Sequence, residues 1–284
     1  MGDMVDENSP CTAKMHDGRQ LPVPAELEDV GFTLRDWPTK VSNFRDDEEV
    51  TATYYDEIIN LVKEASGADR VLVFDHTVRS TESSNLNSLE KGAAAAAVPR
   101  VHCDYTAVSA PRRLKQLAKD GVYSRLRGRD LTEEEVLALG SKRFSFINVW
   151  RNISPDDPVY RMPLAVCDTN TVPTSDHFLY ELVFKERIGE NYSLNYSDQH
   201  KWYYYPQMEQ KECLVFKVYD QDYDGPRFTF HTAFDDPKTP ADAPPRQSIE
   251  VRTIAFFDVE GGEEELSLEK TGCEEGALAG TADK

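Results

Sequence analysis

Short apolar and aromatic runs recur through the second half of the chain. From residue 143 onward they are rich in Val, Phe and Tyr, and the connections between them contain Pro, Asp or Gly. Runs of this kind, bounded by turn residues, are typical of β-strands. The predicted strands are residues 143–151, 163–168, 178–184, 201–205, 212–219, 227–231 and 248–257. So many short strands predict an antiparallel sandwich or a barrel.

Helical periodicity is confined to the first half. Residues 46–64 begin with acids and continue with an apolar face, which predicts a helix. Residues 110–118 and 131–139 predict two more helices, the second with Thr132 as N-cap and Glu135 at the capping-box position. With helices first and strands afterwards, the sequence predicts an α+β protein, a jelly-roll core with flanking helices.

The polar stretch between these helices predicts a loop. An apolar run at residues 70–75 predicts a buried strand, and residues 80–98 follow it with many Ser and Asn residues and a run of alanines. The alanine run is too short to form a helix alone, and Pro99 ends it. We therefore expect a loop here that orders over the site.

The two ends of the chain differ in composition from the middle. Residues 1–28 are polar and dotted with Pro, which predicts an N-terminal arm. Residues 261–284 begin with a glutamate run and become rich in Gly and Ala, which predicts an acidic, flexible C-terminal tail. Residues 29–260 then form one domain, since a chain of 284 residues is ordinary for a single β-barrel domain.

Charge and cysteine usage exclude several classes of protein. A net charge of −19 argues against a nucleic-acid or membrane partner, because both carry negative charge. The acidic N-terminus lacks an apolar stretch, so we expect neither a signal peptide nor a membrane span, and a cytoplasmic protein. The scattered cysteines predict reduced thiols rather than disulfides. They are Cys11, Cys103, Cys167, Cys213 and Cys273.

Two histidines and one aspartate form the candidate metal site. The motif Val101-His-Cys-Asp-Tyr-Thr separates His102 and Asp104 by two residues, and a strand would direct both to one face. His231 ends a strand-like run, and closing a barrel brings such a distant strand to the same interior. Two imidazoles and a carboxylate on one face of a metal are the arrangement of non-haem Fe(II) oxygenases. A structural His–Asp pair is the alternative interpretation.

A second polar cluster lies in Pro245-Arg-Gln-Ser-Ile-Glu-Val-Arg. Arg246, Ser248, Glu250 and Arg252 share one face of the predicted strand. A guanidinium binds a carboxylate through two parallel hydrogen bonds, so Arg246 with Ser248 predicts a site for the far carboxylate of 2-oxoglutarate. Arg252 is the alternative residue for this role. An internal ion pair between Glu250 and Arg252 is the structural alternative.

Further polar residues are candidates for contact with the substrate or with the metal ligands. They are His76, Arg79, Tyr105, Asn148, Arg151 and Lys217. Asp75 and His76 are also an alternative pair of metal ligands, and surface salt bridges are an equal alternative for Arg79 and Arg151. The motifs of P-loop, Rossmann, Gly-x-Ser-x-Gly and His-Glu-x-x-His proteins are absent from the sequence.

Several long stretches of the chain resemble the fungal and bacterial hydroxylase/desaturase family related to gibberellin (GA4) desaturase. The stretches that carry the resemblance are Gly31-Phe-Thr-Leu, Val73-Phe-Asp-His-Thr-Val-Arg, Val101-His-Cys-Asp-Tyr-Thr, Ile147-Asn-Val-Trp-Arg, Pro163-Leu-Ala-Val-Cys-Asp, His200-Lys-Trp-Tyr-Tyr-Tyr-Pro-Gln-Met, Phe216-Lys-Val-Tyr-Asp, Phe230-His-Thr-Ala-Phe-Asp-Asp-Pro and Pro245-Arg-Gln-Ser-Ile-Glu-Val-Arg. They extend from residue 31 to residue 258. One departure is Asn152, which follows the Trp-Arg pair where the family often has Pro.

The resemblance implies an Fe(II)- and 2-oxoglutarate-dependent oxygenase on a double-stranded β-helix, the cupin-like form of jelly-roll. Such an enzyme hydroxylates or desaturates a small-molecule secondary metabolite, using O2 and a ferryl species that abstracts hydrogen. The resemblance places Fe(II) on His102, Asp104 and His231, and 2-oxoglutarate on Arg246 or Arg252. Two other functions stay open: a non-catalytic β-barrel that binds a small molecule, and an iron oxygenase that uses no 2-oxoglutarate. A homodimer is the default expectation for assembly.

Overall fold

The computed structural model describes residues 10–82, 95–120, 131–183 and 188–258. The strands are β1 (Met15–Asp17), β2 (Phe32–Asp36), β3 (Arg70–Ser80), β4 (Phe144–Asn152), β5 (Leu164–Cys167), β6 (His177–Val183), β7 (Ile188–Leu194), β8 (Trp202–Tyr204), β9 (Glu212–Asp220), β10 (His231–Ala233) and β11 (Gln247–Phe256). The α-helices are α1 (Leu27–Val30), α2 (Asp47–Glu49), α3 (Tyr55–Ser66), α4 (Ser109–Asp120) and α5 (Glu133–Leu139). The predicted tail and most of the predicted loop at 80–98 lie outside the described residues.

Local sequence signals determine where the helices begin and end. The Asp46 side chain accepts the backbone N–H groups of Glu48 and Glu49, and a π-helical turn, Val50–Tyr54, joins α2 to α3. At α5, the Thr132 side chain and the Glu135 carboxylate each accept the other residue's backbone N–H. Side chains that satisfy the first N–H groups in this way stabilise a helix start. The three predicted helices are confirmed, and no helix in the described part of the chain is long and apolar enough to cross a membrane.

Most strands form two sheets. The large sheet has the order β2-β9-β4-β11-β3, and its paired strands are antiparallel. The small sheet has the order β1-β8-β5-β10, with a parallel pair only between β1 and β8. Strands β6 and β7 form a separate hairpin. The mixed α+β class is confirmed, and each predicted strand has a counterpart in the structure.

The two sheets pack against each other through aromatic rings. Phe32 of β2 and Tyr203 of β8 have ring centroids 5.9 Å apart, and Phe216 of β9 lies 4.8 Å from the His231 ring. The chain crosses between the sheets just before β10. There the Thr229 N–H donates to the Lys217 carbonyl of β9, while the Phe230 carbonyl accepts a hydrogen bond from β5. This crossing explains why, of the strand predicted at residues 227–231, only the last residue belongs to β10.

Part of the predicted N-terminal arm is attached to the small sheet. Strand β1 pairs with β8 in register from Met15, and Arg19 forms a bidentate ion pair with Glu212 of β9 at 2.7 and 2.9 Å. Residues 15–20 of the predicted arm are therefore attached to the sheets. The sequence analysis did not predict this strand, because a strand of three residues has no alternating pattern and depends on a partner far along the chain.

Two glycines with left-handed backbone make a matched test of packing at the sheet edge. Gly31 (φ +93°) and Gly67 (φ +69°) follow α1 and α3. A Cβ at Gly31 would lie 2.4 Å from Thr229 Oγ1, whereas a Cβ at Gly67 meets nothing within 4 Å. Gly67→Ala should cost about 1–2 kcal/mol, the strain of a left-handed non-glycine residue.

Gly31→Ala should cost about 1–3 kcal/mol more than Gly67→Ala, because overpacking adds to the same backbone strain. Urea unfolding of both variants beside the unmodified protein measures the two free energies. Equal losses in the two variants would contradict the close packing of Thr229 against Gly31.

Candidate active site

The two histidines and the aspartate of the candidate metal site converge at the crossing between the sheets. His102 and His231 exchange backbone hydrogen bonds of 3.1 and 2.9 Å, so these distant segments lie side by side. Asp104 Oδ1 lies 3.5 Å from His102 Nε2 and 3.8 Å from His231 Nε2. One ligand atom of each residue lies within 4.8 Å of the other two. The sequence predicted this convergence.

Hydrogen bonds orient both imidazoles with Nε2 toward Asp104. His102 Nδ1 lies 2.8 Å from the Arg100 carbonyl, and His231 Nδ1 lies 3.1 Å from the Thr229 carbonyl. A carbonyl only accepts, so each Nδ1 carries a proton, and in the neutral form of each ring Nε2 keeps its lone pair. Burial, and then the charge of His231, lowers the pKa of His102 to about 4, which keeps this ring neutral. Two imidazoles whose Nε2 atoms are directed in this way are suited to bind a metal.

The Asp104 carboxylate is also oriented. Burial alone would raise its pKa, but the charges of His231, Arg252 and His102 and a hydrogen bond from Asn148 outweigh it, so the pKa falls to about 2. Asn148 Nδ2 donates to Asp104 Oδ2 at 2.8 Å, which leaves Oδ1 directed toward the imidazoles. Two imidazoles and one ionised carboxylate are a donor set that fits Fe(II).

The hairpin of β6 and β7 supports the metal-ligand segment from outside. The Cys103 N–H donates to the Tyr192 carbonyl at 2.8 Å, and Ser193 Oγ donates to the Val101 carbonyl at 2.7 Å. These bonds flank His102 and limit the movement of the segment. The sequence analysis did not predict this support, because one contact joins backbone groups that any residue supplies and the other comes from a single serine.

One cavity contacts both the metal-ligand cluster and the polar face of β11. Its lining includes His102, His231, Arg246, Glu250 and Arg252. The predicted sharing of one face by alternate residues of β11 is therefore seen in the structure. A molecule in this cavity lies against the candidate ligands and the candidate carboxylate-binding residues together.

Two buried polar atoms lack partners near one part of the cavity: Arg246 lines the cavity, and Ser248 stands two residues further along the chain. Arg246 is 3% exposed and Ser248 is 1% exposed, and neither Arg246 Nε nor Ser248 Oγ has a hydrogen-bond partner among the described residues. Arg246 Nη1 donates to the Met162 carbonyl, which fixes the guanidinium. Burial, and then the charge of Arg79, lowers the pKa of Arg246 to about 10, so it stays charged at neutral pH. Two buried donors without partners fit a carboxylate.

Arg252 differs from Arg246 because acids surround it. Its guanidinium lies 2.6 Å from Glu250, 3.1 Å from Asp75 and 3.8 Å from Asp104. The predicted ion pair between Glu250 and Arg252 is present. The Arg252 charge is thus largely compensated within the protein, and it acts on Asp104.

Three of the other predicted residues lie near the metal ligands or the cavity. Arg79 lines the cavity, and Asn148 contacts Asp104 directly. Tyr105 stacks on Phe146 with centroids 4.4 Å apart, and burial raises the pKa of Tyr105.

The remaining three have partners elsewhere. His76 Nδ1 lies 2.8 Å from the Tyr55 hydroxyl of α3. Arg151 Nε and Nη2 donate to Cys213 Sγ at 3.1 and 2.9 Å. Lys217 Nζ forms ion pairs of 2.7 and 2.8 Å with Glu28 and Asp220. His76 stands three residues from Arg79 on β3, and Arg151 stands three residues from Asn148 on β4. Because side chains alternate between the faces of a strand, His76 and Arg151 point away from the face that Arg79 and Asn148 share.

Apolar residues of the cavity were missed by the sequence analysis. Trp150, Leu164, Val98 and Ala233 complete much of the lining. For Trp150 a signal existed, because it stands two residues from Asn148 on the same strand and therefore on the same face. For the others no signal existed, since an apolar residue facing a cavity looks like one facing the core.

Comparison with known proteins relates the chain to characterised oxidoreductases. Residues 3–256 match the family described as "Oxidoreductase/YMDC permease-like domain". The chain is 30% identical over 255 residues to the Fe(II)/2-oxoglutarate-dependent dioxygenase nvfI of Aspergillus novofumigatus, covering 87% of this chain and 84% of the relative. It is 32% identical over 248 residues to the hydroxylase/desaturase efuI of Hormonema carpetanum, covering 82% and 79%.

A solved structure supports the same relation. The iron and alpha-ketoglutarate-dependent endoperoxidase NvfI superposes with a TM-score of 0.71 at 28% identity, covering 86% of this chain and 84% of that one. The predicted resemblance to the hydroxylase/desaturase family is confirmed, while the relation to gibberellin desaturase within it stays a prediction. The chain therefore belongs to this oxidoreductase family and to the group of Fe(II)/2-oxoglutarate-dependent dioxygenases and hydroxylase/desaturases with which it shares most of its length.

Proposed function

We propose that the chain oxidises a small-molecule secondary metabolite, by hydroxylation or desaturation, with Fe(II) on His102, Asp104 and His231. The observation that carries this proposal is one cavity whose lining includes His102, His231 and Arg246, with Asp104 clustered beside the two histidines. When bound, Fe(II) with 2-oxoglutarate and O2 supplies oxidative decarboxylation of the keto acid and removal of hydrogen from the substrate.

The protein's own residues bind and orient the reactants. Arg246 and Ser248 bind the far carboxylate of 2-oxoglutarate, which supplies the acceptors that their buried donors need. Asn148 holds one carboxylate oxygen of Asp104, so that the other is the metal ligand. Arg252 compensates the acids near the metal rather than binding the co-substrate.

We also propose that residues 29–260 form one domain with a double-stranded β-helix of the jelly-roll, cupin-like type. Two facing antiparallel sheets support it. So does the position of His102 and His231, where the chain crosses from one sheet to the other. A metal site between two sheets keeps its ligands rigid, because strands of both sheets hold them.

The first prediction concerns the reaction itself. Protein loaded with Fe(II) should convert 2-oxoglutarate to succinate under O2, and His231→Ala should abolish this conversion because it removes a ligand. His200→Ala is the matched control, since His200 also neighbours an aspartate, Asp176 at 2.9 Å, outside the cavity. Succinate is measured by chromatography, with a metabolite pool and without it.

The control should keep its succinate formation once its folding has been verified by thermal unfolding. Iron-loaded, folded protein that forms no succinate with any metabolite would favour a non-catalytic binding protein. Equal loss in both histidine variants would contradict the assignment of His231 as a ligand.

The second prediction separates the two arginines. Arg246→Gln should raise the KM for 2-oxoglutarate by about 10- to 100-fold, since a charged hydrogen bond contributes about 1.5–3 kcal/mol. Arg252→Gln should instead leave this KM unchanged, because Glu250 and Asp75 already engage the Arg252 guanidinium, and it should not weaken metal binding, because it removes a positive charge that repels a metal ion. Steady-state kinetics and metal titration measure the two effects. Full activity of Arg246→Gln would favour Arg252 as the binding residue, or an oxygenase that needs no keto acid.

The third prediction concerns the orientation of Asp104. Asn148→Ala should weaken Mn(II) binding by about 10- to 100-fold, the usual effect of removing a partner of a metal ligand. Asn170→Ala, at an exposed turn, is the control and should bind Mn(II) like the unmodified protein. Titration followed by electron paramagnetic resonance measures free Mn(II). An unchanged affinity in Asn148→Ala would exclude this role for Asn148.

A further inference from the structure

Three arginines line the cavity, and Arg79 is the one to which the mechanism above gives no role. It lies on β3, where its Cα is the register partner of Ser248 on β11. Its Nη1 donates to the Ala96 carbonyl at 2.8 Å. Among the described residues, no carboxylate lies within 4.0 Å of its guanidinium, whereas Arg252 in the same cavity has two within 3.1 Å.

Positive charge is therefore in excess at this end of the cavity. Arg79 lies close enough to Arg246 for its charge to lower the pKa of Arg246, after burial the largest cause. Glu250 is the acid that acts on both arginines, and its carboxylate is already held by Arg252 at 2.6 Å. Arg79 and Arg246 are both partly removed from water, and Glu250, the acid that acts on both, is already paired with Arg252. The two guanidinium groups therefore repel each other, and an anion bound between them relieves this repulsion.

We propose that Arg79 is a second binding residue for the far carboxylate of 2-oxoglutarate, opposite Arg246 and next to Ser248. This inference rests on the proposed function, which places that carboxylate at Arg246. Arg79 and Ser248 are register partners on β3 and β11, and Arg246 immediately precedes β11, two residues from Ser248, so the three side chains lie on the same face of the sheet. A carboxylate there accepts hydrogen bonds from two guanidinium groups and one hydroxyl.

The contact with Ala96 makes Arg79 suited to this role. The hydrogen bond to the Ala96 carbonyl fixes one end of the planar guanidinium, and the neighbouring Ala95 pairs with β3 through bonds to Val78 and Ser80. A guanidinium fixed in advance loses less conformational entropy when a ligand binds. Arg79 therefore needs little rearrangement to receive an anion.

Binding of two keto acids to Mn(II)-loaded protein tests the inference. Isothermal titration calorimetry compares 2-oxoglutarate with 2-oxopentanoate, which has a methyl group in place of the far carboxylate. Arg79→Gln should weaken 2-oxoglutarate binding at least about tenfold, the size of one charged hydrogen bond. It should leave 2-oxopentanoate binding within about twofold, because that ligand offers Arg79 nothing to bind.

Three further variants complete the design. Arg246→Gln should show the same selectivity as Arg79→Gln. Arg79→Lys should bind 2-oxoglutarate with intermediate affinity, because lysine keeps the positive charge but cannot form the two parallel hydrogen bonds of a guanidinium. Arg112→Gln removes an arginine whose side chain is 57% exposed, outside the cavity, and should bind both keto acids like the unmodified protein. Thermal unfolding verifies each fold, and Arg79→Lys decides the question if Arg79→Gln does not fold.

Each outcome separates this inference from the proposed function. Loss of 2-oxoglutarate binding in Arg246→Gln but not in Arg79→Gln would overturn the inference and leave the proposed function intact. Equal weakening of both keto acids by Arg79→Gln would also overturn it, since Arg79 would then affect the whole cavity. Binding that neither variant changes would contradict the carboxylate site itself, and absence of keto-acid binding in the unmodified protein would contradict the proposed function.

Discussion

The burial of the Asp104 carboxylate is the constraint on which the rest of the site depends. A carboxylate removed from water is stable only when partners replace its hydration. Here Asn148 comes from β4, Arg252 from β11 and His231 from β10, so the partners lie on different strands of both sheets. No local segment supplies these partners. The charge of Asp104 is therefore compensated only once the sheets have assembled, and the site and the fold form together.

Along the cavity-facing side of β11, the positive charges are compensated to different degrees. Arg252, near Asp104, has acids around it, whereas Arg246, at the other end, has an unpaired Nε beside the unpaired Ser248 hydroxyl. The strand therefore presents compensated charge near the metal ligands and uncompensated positive charge far from them. A keto acid with two negative ends is oriented by such a gradient, because only one end of the cavity lacks an acid for its arginine.

Much of this arrangement was predictable from alternation in strands. The spacing of two residues correctly placed Arg246, Glu250 and Arg252 on one cavity, and the same rule places Asn148 beside Trp150. The rule also shows why His76 and Arg151 lie away from the cavity, since each stands an odd number of positions from a residue that faces it. What the sequence could not provide was long-range pairing. Strand β1 is defined by its pairing with β8, and β7 contacts the backbone of Cys103, in both cases through backbone groups common to all residues.

Two His–Asp neighbours in this chain illustrate how structure separates a ligand pair from a structural pair. His200 Nε2 lies 2.9 Å from Asp176 Oδ2, a direct hydrogen bond, and Asp176 is its partner. In the other pair, His102 Nε2 lies 3.5 Å from Asp104 Oδ1, because the His102 N–H is used on a backbone carbonyl instead. The Nε2 of His200 is hydrogen-bonded to its aspartate. The Nε2 of His102 keeps a lone pair that is directed toward Asp104 without a hydrogen bond between them. Since both atoms are then acceptors, they attract a cation between them, and this geometry favours a metal site over a structural pair.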